Sequence, residues 1–160
     1  MKDDLKGLRS RIPQLGRVDW IGIRPGKRAQ VEARGAVRVT AEGGLEEDHY
    51  SRKGGKRQVT LIQAEHLSTI GKLLGQGPVD PALTRRNLVV SGINLLALKG
   101  RAIRIGEEVE LQITGDCHPC SRMEENLGDG GYSAMRGLGG LTAQVVRGGL
   151  LREGDAVSVC

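Results

Sequence analysis

Apolar and polar residues alternate in short runs along most of the chain, and that pattern predicts strands more than helices. Residues 18–23 are short, apolar and β-branched, and predict a first strand. Ala36-Val37-Arg38-Val39-Thr40 alternates strictly and predicts a second. Residues 58–62 predict a third, leading into a helix over about 63–74 with Leu67, Ile70 and Leu74 at helical spacing. Gly75-Gln76-Gly77-Pro78 ends that helix. Residues 83–90 predict another strand, with Thr84-Arg85-Arg86-Asn87 at its start. Residues 102–113 and 149–159 share a form: a short apolar approach, a Gly-acid turn and an alternating strand, as at a barrel corner. Between them, residues 119–127 predict a short helix with Pro119 in its first turn, and 141–146 predict a strand. The sum is a mainly β, Gly-cornered barrel with one good helix and one short one.

Residues 1–17 carry Lys2, Lys6, Arg9, Arg11 and Arg17 over little apolar pattern, and read as a loosely held lead-in to a domain over 18–160. A chain of 160 residues suits one domain with a core that needs no disulfide staples. Residues 41–57 form a long loop, rich in glycine and charge, whose Arg52, Lys53, Lys56 and Arg57 would make an anion-binding rim or a solvated face. No apolar run reaches the length of a membrane span, and the N-terminus has no long apolar signal region. Three cysteines, at 117, 120 and 160, then imply free thiols in a reducing cytoplasm. The net charge of +5 allows either a solvated basic surface or an anionic ligand such as a phosphorylated cofactor. An aromatic content of 2% leaves little to stack bases on, so no nucleic-acid partner is expected.

The strongest chemical signal is Cys117-His118-Pro119-Cys120, where a strand ends and a helix begins. A thiol at a helix mouth meets backbone N–H groups, and Arg122 adds charge nearby, so Cys120 is a candidate thiolate. The spacing leaves three readings open. A zinc site would have only two thiols and His118, at cramped spacing. A dithiol would fit the letters, although such motifs usually follow the first strand of a βαβ unit. Two small residues in an inert turn would fit as well. In Thr84-Arg85-Arg86-Asn87, strand alternation turns Arg85 and Asn87 to one side and Arg86 to the other; the pair would suit phosphate, or would be an exposed strand end.

An ordered set of short blocks resembles one family. It comprises Gly44-Leu45-Glu46-Glu47-Asp48, Arg57-Gln58-Val59-Thr60-Leu61-Ile62 with Glu65, Arg85-Arg86-Asn87 with Gly92 and Leu95, and Ile105-Gly106-Glu107. Cys117-His118-Pro119-Cys120, Gly148-Gly149 and Gly154-Asp155 with Val157 complete it. From about residue 18 to 159 the chain is similar to a MOSC domain, the C-terminal domain of molybdenum cofactor sulfurase. The resemblance implies a β-barrel-like fold that binds molybdenum cofactor, the molybdopterin-type cofactor. It implies Cys120 as the catalytic thiolate and metal ligand, with Arg85 and Asn87 holding pterin and phosphate. Mitochondrial relatives carry Ser-Arg where this chain has His118-Pro119. His118 therefore joins the cofactor-binding set, with Arg122 or Arg57 standing in for the missing guanidinium. The implied activity is two-electron reduction of N-hydroxylated or related N–O compounds, with an external electron-donor protein. The alternatives are a carrier of cofactor or of sulfur as a Cys120 persulfide, working with a cofactor-handling enzyme, and a metal-free dithiol protein. The chain lacks the aminotransferase-like desulfurase domain, so pyridoxal phosphate would sit only on a separate partner.

Overall fold

The structure, a computed structural model, describes residues 4–49 and 55–160. Among the described residues, eleven strands fall in two sheets. Seven close a barrel: β1 (Gly16–Ile23), β5 (Val59–Gln63), β6 (Leu88–Ser91), β7 (Ala102–Ile105), β8 (Val109–Asp116), β9 (Leu141–Arg147) and β11 (Ala156–Val159). Around the barrel the order is β11-β7-β8-β9-β5-β6-β1, and β1 pairs back onto β11. β2 (Glu32–Arg34) extends the sheet beyond β1. A second sheet joins β10 (Gly149–Arg152), β3 (Ala36–Thr40) and β4 (Gly44–Leu45). The resembled family therefore implied the right architecture, a mainly β barrel with short helices.

Strand alternation fills the barrel. Val18, Ile21, Leu61, Val90, Ile103 and Ile113 belong to one buried cluster. β5 and β6 differ from the other strands because they pair in parallel and both of their faces are covered. Ile62 and Val89 join a second cluster with Ile70 of α2 (Ala64–Leu73), Met123 of α3 (Ser121–Leu127) and Met135 of α4 (Gly131–Met135). A parallel pair is normally sandwiched in this way, and it explains why Val59-Thr60-Leu61-Ile62-Gln63 is buried without alternation. The helical layer lies over β5 and β6.

Several expectations need correction. β1 starts at Gly16, because Gly16 and Arg17 pair with Val157 and Ala156 to close the barrel. The lead-in also contains a helix, α1 (Leu5–Ser10), capped by Asp4 and without a buried residue. The segment 149–159 does not repeat 102–113. Its first arm, β10, pairs with β3 in the small sheet, whereas β7 and β8 both lie in the barrel. α4 was not expected, since its five residues carry too few apolar positions for a period. α3 starts after Pro119, with Cys120 as its N-cap.

The segment 83–90 departs most from expectation. Asp80 caps a 3₁₀ turn over Pro81–Thr84, and Arg85 follows in the left-handed region at φ 57°. The strand begins only at Leu88. Arg85 and Arg86 therefore do not alternate, and both reach the same cavity.

Candidate functional site

A cavity of about 680 Å³ opens where the starts of β5 and β6, the end of β1 and the turn before α3 meet. Among the described residues, six cations line it: Arg24, Lys56, Arg57, Arg85, Arg86 and Arg122. No carboxylate lines it among the described residues. Cys117, His118 and Cys120 form the opposite wall. Of the residues singled out in the sequence, Arg57, Arg85, His118, Cys120 and Arg122 converge here. Arg52 and Lys53 lie outside the described residues.

Asn87 does not reach the cavity, being fully buried at 0% exposure. Its Nδ2 donates to the Gly22 carbonyl at 3.0 Å and to Asp48 Oδ1 at 3.2 Å. Its Oδ1 accepts from the Thr60 N–H at 3.0 Å, from Thr60 Oγ1 at 3.2 Å and from Arg24 Nη2 at 3.1 Å. The amide is thus spent inside the fold, beneath Arg24. Arg24 pairs with Asp48 through both ends: Nε to Oδ1 at 3.1 Å and Nη2 to Oδ2 at 2.9 Å. A buried bidentate pair with a hydrogen-bonded amide beside it is well satisfied, and it fixes the guanidinium at the cavity floor.

Arg85 turns back across the rim. Its Nη1 donates to the Ala29 carbonyl at 2.7 Å and its Nη2 to the Lys27 carbonyl at 3.3 Å, which pins the β1–β2 connection. Arg122 reaches the same connection through the Lys27 carbonyl at 3.5 Å and faces Glu125 at 3.5 Å. Arg57 is exposed, and among the described residues its guanidinium makes no hydrogen bond or ion pair.

Arg86 was assigned to the wrong face by strand alternation, and it is the most deeply involved of the set. It is 6% exposed. Nε donates to the Gly139 carbonyl at 2.7 Å, Nη1 to the Thr84 carbonyl at 3.0 Å, and Nη2 to the Cys117 and His118 carbonyls, each at 3.3 Å. Burial pushes its proton affinity below the ordinary arginine value. The Cys117 and Cys120 thiols act in the opposite sense, while Arg24 and Arg57 reinforce the fall.

The two thiols differ in exposure. Cys117 is 4% exposed, and its N–H donates to the Gly140 carbonyl at 2.8 Å. Cys120 is an exposed free thiol. Gly140 sits at φ 93°, where a side chain would lie 1.8 Å from the Leu61 carbonyl oxygen. That glycine lets the loop before β9, whose Gly140 carbonyl accepts from the Cys117 N–H, approach β5 closely. Among the described residues no three His, Cys, Asp or Glu side chains gather as a metal cluster, so the zinc reading finds no ligand set there.

A thiol opposite six cations and, among the described residues, no carboxylate is an environment suited to an anionic group. The chain belongs to the MOSC domain family, whose profile matches residues 47–158. That family is linked to molybdenum cofactor binding. No curated protein sequence matches the chain. Solved structures share its fold. YuaD of Bacillus subtilis superposes with a TM-score of 0.80 at 19% identity, over 93% of this chain and 98% of that one. YiiM of Geobacillus stearothermophilus gives 0.74 at 15% identity, over 91% and 75%. YiiM of Escherichia coli gives 0.65 at 20% identity, over 90% and 69%. Among the described residues no helix is long and apolar enough to cross a membrane.

Proposed function

We propose that the cavity binds molybdenum cofactor, with the Cys120 thiolate as the protein's ligand to the metal, and that the loaded protein reduces N-hydroxylated or related N–O compounds. The observation that carries this reading is the single exposed thiol in a cavity lined by six cations and, among the described residues, no carboxylate. When bound, the molybdenum supplies two-electron oxygen-transfer chemistry. The net conversion takes two electrons and two protons and releases water as the N–O bond breaks.

The chain's own residues do the holding. Lys56 and Arg57, at the rim, offer charge-assisted hydrogen bonds to a phosphate. Arg85 and Arg122 keep the β1–β2 connection closed over one side. Arg24 gives the floor a fixed cation on the Asp48–Asn87 support. Asn87 contributes through that support, without touching the ligand. His118 lies beside Cys120 on the thiol wall. Electrons come from an external donor protein, because among the three cysteines there are too few for a four-Cys cluster.

The experiment is turnover of a model amidoxime by cofactor-loaded protein with a small viologen donor. Amine product in stoichiometry with donor oxidised supports the reductase. Bound cofactor without turnover supports the alternative, a carrier of cofactor or sulfur on Cys120. Protein that takes up no cofactor contradicts both.

A further inference from the structure

Arg86 is a buried cation with no carboxylate partner among the described residues. Burying a guanidinium is strongly unfavourable unless its donors are met. Here they are met by four main-chain carbonyls from three separate places in the chain: Thr84, the Cys117–His118 turn, and Gly139. Those segments precede β6, follow β8 and precede β9, so one side chain ties three parts of the chain together. Two of the carbonyls belong to the turn that carries both thiols. Gly139 makes room for the clamp: a Cβ there would lie 2.1 Å from the Cys117 carbonyl oxygen and 3.2 Å from Arg86 Nη2.

We propose that Arg86 is the positioning residue of the site, a clamp that sets the Cys117–Cys120 turn so that Cys120 faces the cavity while Cys117 stays under the surface. The clamp needs a planar fork. A lysine ammonium is a point donor and cannot span three segments. Loss of the fork leaves all four carbonyls without their partner, and the turn relaxes to seek water. The proposal rests on the reading of Cys120 as the cavity-facing thiol and deepens it, yet its main readout needs no cofactor.

The experiment is timed alkylation of the full, reduced chain with iodoacetamide, each thiol being followed by peptide mass spectrometry. The samples are wild type, Arg86→Lys, Arg86→Met and a distant core control, Leu151→Ala. In wild type and in the control, Cys120 should react at least about tenfold faster than Cys117, because access limits the buried thiol. In Arg86→Met the two rates should come within about threefold of each other, with Arg86→Lys between. Methylguanidinium should restore the wild-type ratio in Arg86→Gly, and ethylammonium should not. A purely structural role would speed alkylation of the buried Cys117 only in step with loss of circular dichroism, whereas the clamp predicts the change in a protein whose circular dichroism is unaltered. A wild-type ratio in folded Arg86→Met overturns the proposal. Should that variant not fold, an unchanged ratio in folded Arg86→Lys overturns it equally. Molybdenum measured on the same proteins separates the two readings: a wild type that holds none contradicts the cofactor reading, while the thiol ratio still decides the clamp.

Discussion

A methyl group added at Gly139 would lie 2.1 Å from the Cys117 carbonyl oxygen, so the turn bearing the thiols is pressed directly against the loop before β9. Main chain meets main chain there, and neither side can give way by a rotamer change. Gly139→Ala should therefore lower stability by about 1–3 kcal/mol, the usual range for overpacking. Urea unfolding measures it. Because the displaced atoms include the Arg86 acceptors, the same variant should lose bound cofactor beyond what its stability loss explains. A Gly139→Ala protein as stable as wild type would mean that the turn sits further from the loop.

The floor of the cavity gives a second prediction. Asp48→Ala leaves Arg24 buried without its anion, and removal of one partner from a buried pair costs about 3–5 kcal/mol. Asn87→Ala should also destabilise, and by less, because the ion pair survives. Its effect on cofactor retention should vanish once samples are compared at equal folded fraction, since Asn87 lies beneath Arg24 and not in the cavity. Denaturant titration with cofactor content on the folded fraction tests both. Retention lost in fully folded Asn87→Ala would place the amide in direct contact with the ligand.

Acid stability should depend on Glu65. Burial is the largest single influence and pushes its carboxyl up, but hydrogen bonds from Gln63 and the Gly92 N–H outweigh it and hold the carboxyl below the ordinary value of 4.5. A carboxyl held low in the folded state binds fewer protons than the unfolded chain does. Its stabilisation is therefore full above about 4.5 and is lost as pH falls through the lowered folded value. Glu65→Gln should flatten that part of the stability profile and leave the neutral region with the same slope. A profile as steep as wild type below the ordinary carboxyl range would contradict the assignment.

Cys160 offers an internal reference thiol. Burial first, and Glu110 second, push its thiol above the ordinary value of 9.0. Less thiolate is then present at any given pH, so its alkylation midpoint should lie above 9.0 in a pH series. Glu110→Gln should bring the midpoint down. A midpoint at or below the ordinary value in the wild type would contradict the burial argument.

Much of the fold was legible because local pattern and tertiary role agree. Alternation at Ala36–Thr40, the period in α2 and the turn glycines around 106 and 154 all mark elements that the structure contains. The thiol motif was legible for the same reason: a strand ends at Asp116 and a helix starts at Ser121, with both cysteines between. Arg86 was not legible. Its side depends on Arg85 entering the left-handed region after a 3₁₀ turn, and no alternation rule anticipates that for an arginine. Arg24 was missed because the turn signal at Pro25-Gly26 reads as an ordinary loop, while the carboxylate that holds it lies 24 residues away. Asn87 was expected from the family resemblance to hold pterin and phosphate, and in the structure it is buried beneath Arg24. Sequence places an amide near a phosphate-binding pattern, and only the packing shows that its donors and acceptor are already taken.

The most direct test of the account is the molybdenum and pterin content of protein purified from a host that makes the cofactor, compared across wild type, Cys120→Ser and Cys117→Ser. A hydroxyl is a harder and far weaker donor to such a metal than a thiolate. Wild type should carry both molybdenum and pterin. Cys117→Ser should keep most of each, because Cys117 is buried and Cys120 is the exposed thiol. Cys120→Ser should lose the metal while circular dichroism shows the fold intact. Cys120→Ser that retains the wild-type molybdenum content, or a wild type that yields neither metal nor pterin, would contradict the account.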